Sequence, residues 1–149
     1  RGVTARRLSF IRPRHDEAAL ESARDLAHAV HLDGVGESLV SDLSHGQQRQ
    51  LEIGMALAGA PRLILFDEPA AGLSPGERRD LVQILSGLPR HIGFVIIEHD
   101  LDVALRVVDR ITVMHNGAIF KHGTPQEIQS DPDVQRIYLG GKYEAGKHG

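Results

Sequence analysis

Apolar and polar positions repeat along this chain with two different periods, and stretches of the two kinds follow one another. Between Asp16 and His31, apolar residues recur at steps of three and four, which predicts an amphipathic helix. Its apolar positions are Ala19, Leu20, Ala23, Leu26, Ala27 and Val30. Asp16 and Glu17 fall in the first turn, where the helix dipole favours negative charge. Gly34 and Gly36 then interrupt the pattern.

Two short apolar runs predict parallel strands that are buried on both faces. Residues 63–66 and 94–97 are each four large apolar residues, and polar residues follow each run at once. Unbroken runs of this kind are typical of parallel strands with both faces covered. The helix predicted over 47–60 becomes apolar nearly all round after Leu51 and is therefore expected to be buried as well. Pro61 ends it.

Capping signals and turns mark the remaining elements. Residues 74–77, Ser-Pro-Gly-Glu, form a capping box with proline at the first helical position, so a helix begins there. Its expected buried face is Leu81, Ile84, Leu85 and Leu88, and Gly87 and Pro89 end it. Further elements are predicted at 101–107 (helix), 110–114 and 118–121 (a hairpin through His115-Asn116-Gly117), and from Thr124 and Asp133 (helices). This order predicts an α/β fold with a parallel sheet, followed by a small carboxyl-terminal β-hairpin and helices.

The composition is that of an ordinary globular domain. The 149 residues are 41% apolar and 25% charged, enough for one domain with a real core. No apolar run reaches the length of a membrane-spanning helix. The absence of cysteine excludes disulfides and thiolate metal sites, and the nine histidines are scattered. A net charge of −3 argues against the whole surface serving to bind nucleic acid.

The two ends of the chain differ from the rest in composition. Residues 1–15 contain five arginines and no acid, which fits either a solvated terminus or a basic patch for nucleic acid or lipid headgroups. The first residue is Arg1 rather than methionine, which suggests a fragment or a processed piece. The tail from Gly140 is rich in glycine and lysine and is expected to be loose.

The stretch Leu43-Ser44-His45-Gly46-Gln47 predicts the start of a helix. Ser44 lies at the expected N-cap and Gln47 three residues later, which is the spacing of a capping box. The pattern is compatible with a cap alone. It is also compatible with an anion site, because small residues leave the helix amides open and the dipole favours negative charge.

Two carboxylates and a histidine follow the predicted strands. Asp67 and Glu68 come directly after the first strand, and His99 follows the second within Glu98-His99-Asp100. Open parallel sheets bind ligands at the carboxyl ends of their strands. An adjacent Asp-Glu pair can also be the solvated start of a loop. The four apolar residues before it and Pro69 after it favour a functional edge.

These stretches together resemble the ATP-binding-cassette (ABC) ATPases, in family order. LSHGQ (43–47) resembles the LSGGQ signature, and LILFDEP (63–69) resembles the Walker B strand. AGLS (71–74) stands at the place of the D-loop, and IEHD (97–100) at that of the switch histidine. The resemblance implies a P-loop NTPase-like core, with part of the helical subdomain and the signature in 1–60. Residues 61–149 would then hold the Walker B, D-loop and switch part of the core.

The resemblance implies ATP and Mg²⁺ as ligands and a role for each matching residue. Asp67 would hold Mg²⁺ through a water, Glu68 would act as general base, and His99 would contact the γ-phosphate. Domains of this family dimerise head to tail, so the resemblance implies that the residues matching the signature and the D-loop would act on the ATP that the other subunit holds. These residues are Ser44, His45, Gly46, Gln47 and Ser74. His45 stands where glycine is commoner, and Ser74 where the D-loop usually has aspartate.

The Walker A loop and the Q-loop of the family have no match in this sequence. Residues 141–147 approach the pattern G-x-x-x-x-G-K, but His148 replaces the hydroxyl residue that Mg²⁺ needs, and no predicted strand precedes them. The resemblance therefore covers the whole chain but only the carboxyl-terminal part of a nucleotide-binding domain. We expect this chain alone to bind ATP weakly or not at all.

The details of three stretches resemble bacterial importers of branched-chain amino acids. These are residues 67–75, 97–100 and 123–140, although related urea and amide importers share much of them. The resemblance implies an ATP-hydrolysing subunit at the cytoplasmic face of the inner membrane. It would be held there by transmembrane permease subunits, paired with a second nucleotide-binding subunit, and bind no nucleic acid. Two alternatives stay open: a non-catalytic module that keeps the dimer and permease contacts, and an ATPase of DNA-repair type.

Overall fold

The computed structural model describes residues 17–138, which form six α-helices, one 3₁₀ turn and four strands. The elements in chain order are α1 (Glu17–Ala29), a 3₁₀ turn (Val40–Asp42), α2 (His45–Ala58), β1 (Leu63–Asp67), α3 (Pro75–Ser86), β2 (Gly93–Ile97), α4 (Leu101–Val107), β3 (Ile111–His115), β4 (Ala118–Gly123), α5 (Pro125–Ser130) and α6 (Pro132–Tyr138). This order confirms the α/β prediction. The arginine-rich residues 1–15 and the tail from Gly140 lie outside the described residues, as do the predictions made for them.

Strands β1 and β2 form a parallel pair connected by α3. Leu63 is opposite Gly93 at one end of the pair, and Asp67 is opposite Ile97 at the other. Strands β3 and β4 form an antiparallel hairpin with an irregularity between Val113 and Met114. Asn116 and Gly117 have φ values of 49° and 76°, as a two-residue hairpin turn requires. The turn predicted from these residues is therefore confirmed.

The main core lies between the inner face of the parallel pair and the helices. Its buried members come from both halves of the described chain: Val30, Leu32, Ile53, Ala70, Leu73, Leu81, Ile84, Leu85 and Val103. Phe66 of β1 and Ile96 of β2 pack against this cluster. The buried face predicted for α3 is confirmed at three positions, and Leu88 is half-buried. A smaller cluster of Val113, Ile128 and Val134 joins the hairpin to α5 and α6.

The prediction that β1 and β2 are buried on both faces is wrong. Ile64 is buried, whereas the next residue, Leu65, keeps 72% of its surface exposed. Leu63, Val95 and Ile97 share the exposed face with Leu65, since exposure alternates along both strands. We call this set the outer apolar face. The helices described here cover the inner face, and the outer apolar face is left open to solvent.

The burial predicted for α2 is also wrong. Within α2 only Gly46, Ile53 and Gly54 are buried, and Met55 is 67% exposed. No residue of α1 is buried, because α1 meets the core only near its carboxyl end, just before Val30. A Cβ on Gly54 would lie 3.2 Å from Cγ2 of Val30, so the absence of a side chain there allows the close approach.

No helix in residues 17–138 combines the length and the apolar character that crossing a membrane requires.

Candidate functional site

Asp67 and Glu68 lie at the carboxyl edge of the parallel pair. Asp67 is the last residue of β1, and the amide of Glu68 donates to the carbonyl of Ile97 at 2.9 Å, which extends the pairing by one residue. Glu68 then adopts a left-handed conformation with φ of 45°, and its carbonyl accepts from the amide of Ala71 at 3.0 Å. A non-glycine residue in this region is uncommon and is often found at functional sites. The turn at Glu68 places both carboxylates at the exposed sheet edge.

His99 lies beside Glu68. Its Nδ1 atom is 3.6 Å from Oε1 of Glu68, and both side chains are largely exposed. The separation is too long for a good hydrogen bond but short enough for electrostatic attraction when the imidazole is charged. The structure therefore brings together the three residues, Asp67, Glu68 and His99, that the sequence placed at the ends of two strands.

The sheet edge offers Mg²⁺ two carboxylates rather than a complete set of ligands. Among residues 17–138 there is no group of three or more histidine, aspartate or glutamate side chains arranged to hold a metal ion. Mg²⁺ in phosphate-transfer sites is commonly held by one or two carboxylates, with substrate phosphates and water completing its octahedron. Asp67 fits that mode, in which the ion arrives with a polyphosphate, and Glu68 lies beside it.

The predicted capping box at the start of α2 is present. Ser44 Oγ accepts from the amide of Gln47 at 3.2 Å, and Gln47 Oε1 accepts from the amide of Ser44 at 2.9 Å. The reciprocal bonds fix the serine at the N-cap and direct the remaining first-turn amides away from the helix. The structure brings Ser44, His45, Gly46 and Gln47 together at one helix terminus.

A third acidic residue, Glu77 of α3, contacts this terminus. Its Oε1 atom accepts from the amide of Gly46 at 3.0 Å and from Ser44 Oγ at 3.3 Å. Its other oxygen, Oε2, accepts from the amide of Ser74 at 2.8 Å. The amide of Ser74, then the Ser74 hydroxyl and the Gly46 amide, hold the pKa of Glu77 below its ordinary value. One carboxylate thus joins the starts of two helices.

The sequence predicted Glu77 only as part of its own capping box. The contact with Gly46 spans 31 positions along the chain, and no local pattern indicates it. His45 reaches the same region, since a Cβ on Gly72 would lie 3.3 Å from Nε2 of His45. Ser74 caps α3 through its Oγ, which accepts from the amide of Glu77 at 3.4 Å. The signature residues therefore lie against residues 71–74.

Two further charged residues hold the segment between β1 and α3, and sequence reasoning missed both. Glu98 Oε1 accepts from the amide of Ala70 at 2.8 Å. The guanidinium of Arg78 donates to the carbonyl of Leu73 at 3.2 Å and to Oδ2 of Asp100 at 2.7 Å. These bonds connect residues 70–73 to the strand end that carries His99.

The polar residues of the site form two separate groups. The signature group borders a shallow cleft of about 340 Å³ that His31, Ser44, Gly46, Gln47, Gln50, Glu77 and Asp80 line. Asp67, Glu68 and His99 do not line this cleft. Within residues 17–138, no hydrogen bond or ion pair joins them directly to Ser44, His45, Gly46 or Gln47. The two groups therefore present two distinct surfaces.

Comparison with known protein families gives two matches. Residues 3–71 match the family described as ABC transporter. Residues 122–144 match the family described as branched-chain amino acid ATP-binding cassette transporter. The first match covers the signature and the Walker B stretch, and the second covers the end of β4 with α5 and α6.

Individual relatives agree with these matches. The high-affinity branched-chain amino acid transport ATP-binding protein BraF of Pseudomonas aeruginosa is 36% identical over 129 residues, which are 85% of this chain and 51% of BraF. The lipopolysaccharide export system ATP-binding protein LptB of Escherichia coli is 36% identical over 121 residues, 80% of this chain and 50% of LptB. The chain spans about half the length of the curated relatives it matches.

The fold is also that of known ATP-binding cassettes. The crystal structure of the ADP conformation of MJ1267, an ATP-binding cassette of an ABC transporter, superposes on this chain with a TM-score of 0.72 at 36% sequence identity. The superposition covers 86% of this chain and 52% of the MJ1267 chain. The stretches that resemble the signature, the Walker B strand and the switch histidine lie at the start of α2, on β1 and after β2 of this fold. The chain belongs to the ABC transporter family of ATP-binding proteins, of which it represents the carboxyl-terminal part.

Proposed function

We propose that this chain supplies the catalytic carboxylate, the switch histidine and the signature of an ABC-type ATPase that drives solute import. The observation that carries the proposal is the meeting of Asp67, Glu68 and His99 at the ends of two parallel strands, with Glu68 and His99 3.6 Å apart. Parallel sheets bind their ligands at this edge.

Each residue at the sheet edge has a distinct role in the proposed reaction. The Glu68 carboxylate accepts a proton from the water that attacks the terminal phosphorus of ATP. Asp67 would hold the Mg²⁺ that accompanies the nucleotide, and this ion would supply charge neutralisation at the phosphates. His99 donates a hydrogen bond to the transferred phosphoryl group, and its Nδ1 lies 3.6 Å from Oε1 of Glu68.

The signature group acts on the nucleotide that a second subunit holds. Ser44, Gly46 and Gln47 line a cleft that Asp67 and Glu68 do not line. His45 and Ser74 complete the proposed set, since His45 belongs to the same helix start and the amide of Ser74 donates to Glu77, which contacts Gly46. A helix N-terminus attracts phosphate but offers no contacts for base or ribose, so it suits closing over a nucleotide that is bound elsewhere. This supports a head-to-tail dimer. We assign residues 1–60 to the helical subdomain and 61–149 to the core, which share one hydrophobic cluster.

The proposed cargo is a branched-chain amino acid. Overall identity does not decide it, because BraF and LptB are both 36% identical to this chain and their names give different cargoes. The match at residues 122–144 supports the amino-acid importers. The subunit would then work at the cytoplasmic face of the inner membrane, bound to transmembrane permease subunits. A non-catalytic module with the same contacts is the competing function, since no Walker A sequence occurs in the chain.

The test replaces the proposed general base in a domain that also carries a Walker A half. A fusion of the amino-terminal half of BraF to this chain provides one. Glu68→Gln keeps the shape of the side chain and removes its basicity, so ATP hydrolysis should fall by about 10²–10⁴-fold while ATP binding persists. Glu21→Gln is the control, because Glu21 is exposed on α1 and lines neither the signature cleft nor the sheet edge. Hydrolysis by Glu68→Gln at the rate of the control would refute the assignment.

A further inference from the structure

The N-terminus of α2 is in contact with an anion that belongs to the chain itself. Glu77 Oε1 lies 3.0 Å from the amide nitrogen of Gly46 and 3.3 Å from Ser44 Oγ, and both groups donate to it. The absence of a side chain at Gly46 makes this approach possible, because a Cβ there would overlap the Glu77 carboxylate. The carboxylate therefore takes the position that a bound phosphate oxygen would take.

One set of donors cannot serve two anions at once. In the proposed function, the Gly46 amide and the Ser44 hydroxyl bind a phosphate oxygen of the partner's nucleotide. The carboxylate of Glu77 already uses both of them, and its negative charge repels a phosphate at the same place. Because its pKa is lowered by the Ser74 and Gly46 hydrogen bonds, Glu77 is ionised near neutral pH.

We propose that Glu77 is an intramolecular occupant of the signature site, which a nucleotide phosphate must displace before the two subunits close. The inference rests on the proposed function, since it assigns a means of regulation to the same residues. Glu77 Oε2 bonds to the amide of Ser74, and a rotation of the carboxylate away from Gly46 weakens this bond but leaves the bond from the Glu77 amide to Ser74 Oγ in place. Glu77 also borders an open cleft, so rotation of its side chain frees the site without unfolding either helix.

The chain contains a matched control for the loss of a helix cap. Glu127 of α5 occupies the same position in a capping box as Glu77: its Oε2 accepts from the amide of Thr124 at 2.8 Å. Its pKa is likewise lowered, first by the Thr124 amide and then by the Thr124 hydroxyl. In the part of the chain that the structure describes, Glu127 makes no hydrogen bond to the signature residues. Glu127→Gln therefore removes the same charge from a cap and leaves the signature site unchanged.

The experiment measures inorganic phosphate at the Gly46 amide. The 149-residue chain, labelled with ¹⁵N, is titrated with phosphate at pH 7 and constant ionic strength, and the Gly46 resonance is followed. Glu77→Gln should bind phosphate at Gly46 about fivefold more tightly than the wild type, a gain typical of removing one exposed charge contact. Glu127→Gln should match the wild type. Glu77→Ala repeats the test without the glutamine side chain, whose carbonyl oxygen could still accept a hydrogen bond from the Gly46 amide.

A pH titration of the wild type gives a second, independent readout. The Gly46 amide shift should follow the ionisation of Glu77, with an apparent pKa below the ordinary value of 4.5, and should lose that response in Glu77→Gln. A Gly46 shift that does not follow pH in the wild type would overturn the inference.

The outcomes separate the inference from the function on which it rests. Equal phosphate affinity in the wild type, Glu77→Gln and Glu77→Ala would overturn the inference alone, because Gly46 would still bind phosphate. No response of Gly46 to phosphate in any variant with a well-dispersed spectrum would overturn the anion-binding role of the signature, and the inference with it.

Discussion

Truncation of two neighbouring residues of β1 should have very different effects on the free energy of unfolding. Ile64 is 7% exposed and faces the core, whereas Leu65 is 72% exposed and belongs to the outer apolar face. Ile64→Ala removes three buried carbon atoms and leaves a cavity, which costs about 2–4 kcal/mol of unfolding free energy. Leu65→Ala removes atoms that are already hydrated, so its cost should stay within about 0.5 kcal/mol.

Urea unfolding of the 149-residue chain, followed by circular dichroism, measures the difference. With a slope of about 2 kcal/mol per molar urea, Ile64→Ala should lower the midpoint by about 1–2 M, and Leu65→Ala should leave it unchanged. If Ile64→Ala does not fold, Ile64→Val should lower the midpoint by about 0.5 M. Equal losses at the two positions would refute the one-sided burial of the parallel pair.

Three further predictions concern the outer apolar face, the contact of Glu98 and the response to acid. We expect the exposed outer apolar face to cause self-association of the chain, so Leu65→Ser should lower this association in sedimentation velocity, and Leu20→Ser on α1 is the control. Glu98→Ala should cost about 1–3 kcal/mol in urea unfolding, because it leaves the buried Ala70 amide without an acceptor, and Glu98→Gln should cost less. Glu77 and Glu127 have lowered pKa values when folded, so the stability they contribute is complete above the ordinary pKa of 4.5 and is lost as pH falls through the folded values. The urea concentration at the unfolding midpoint should therefore decrease as the pH is lowered below about 4.5. The decrease should be less steep in the double variant with glutamine at positions 77 and 127.

Local signals in the sequence predicted the elements well. The capping boxes at Ser44, Ser74 and Thr124 each satisfy amides within one helical turn, so their chemistry depends on neighbouring residues only. The helix at 101–107 has the predicted bounds. The turn at Asn116-Gly117 follows from the ease with which these two residue types adopt positive φ.

Burial and long-range contacts could not be predicted in the same way. The apolar runs at 63–66 and 94–97 indicate strands covered on both faces, but the described helices cover only one. The apolar residues of a strand indicate which faces can be buried. Which element covers each face depends on the tertiary structure. The contact of Glu77 with Gly46 is likewise set by how α3 packs beside α2.

The roles proposed for the two polar groups can be tested together by mixing variants of the fused domain. Ser44→Arg blocks the signature, and Glu68→Gln removes the general base, so each homodimer should hydrolyse ATP very slowly. In a mixed dimer with the signature acting across the interface, one site combines an intact Glu68 with an intact Ser44, and the other site carries both defects.

The measurement is the ATPase rate of an equimolar mixture of the two variants. The proposed arrangement predicts recovery to about a quarter of the wild-type rate, because random pairing into twofold dimers restores one site in half of the dimers. A mixture no more active than the separate variants would contradict the claim that Glu68 and Ser44 serve one nucleotide from two different subunits.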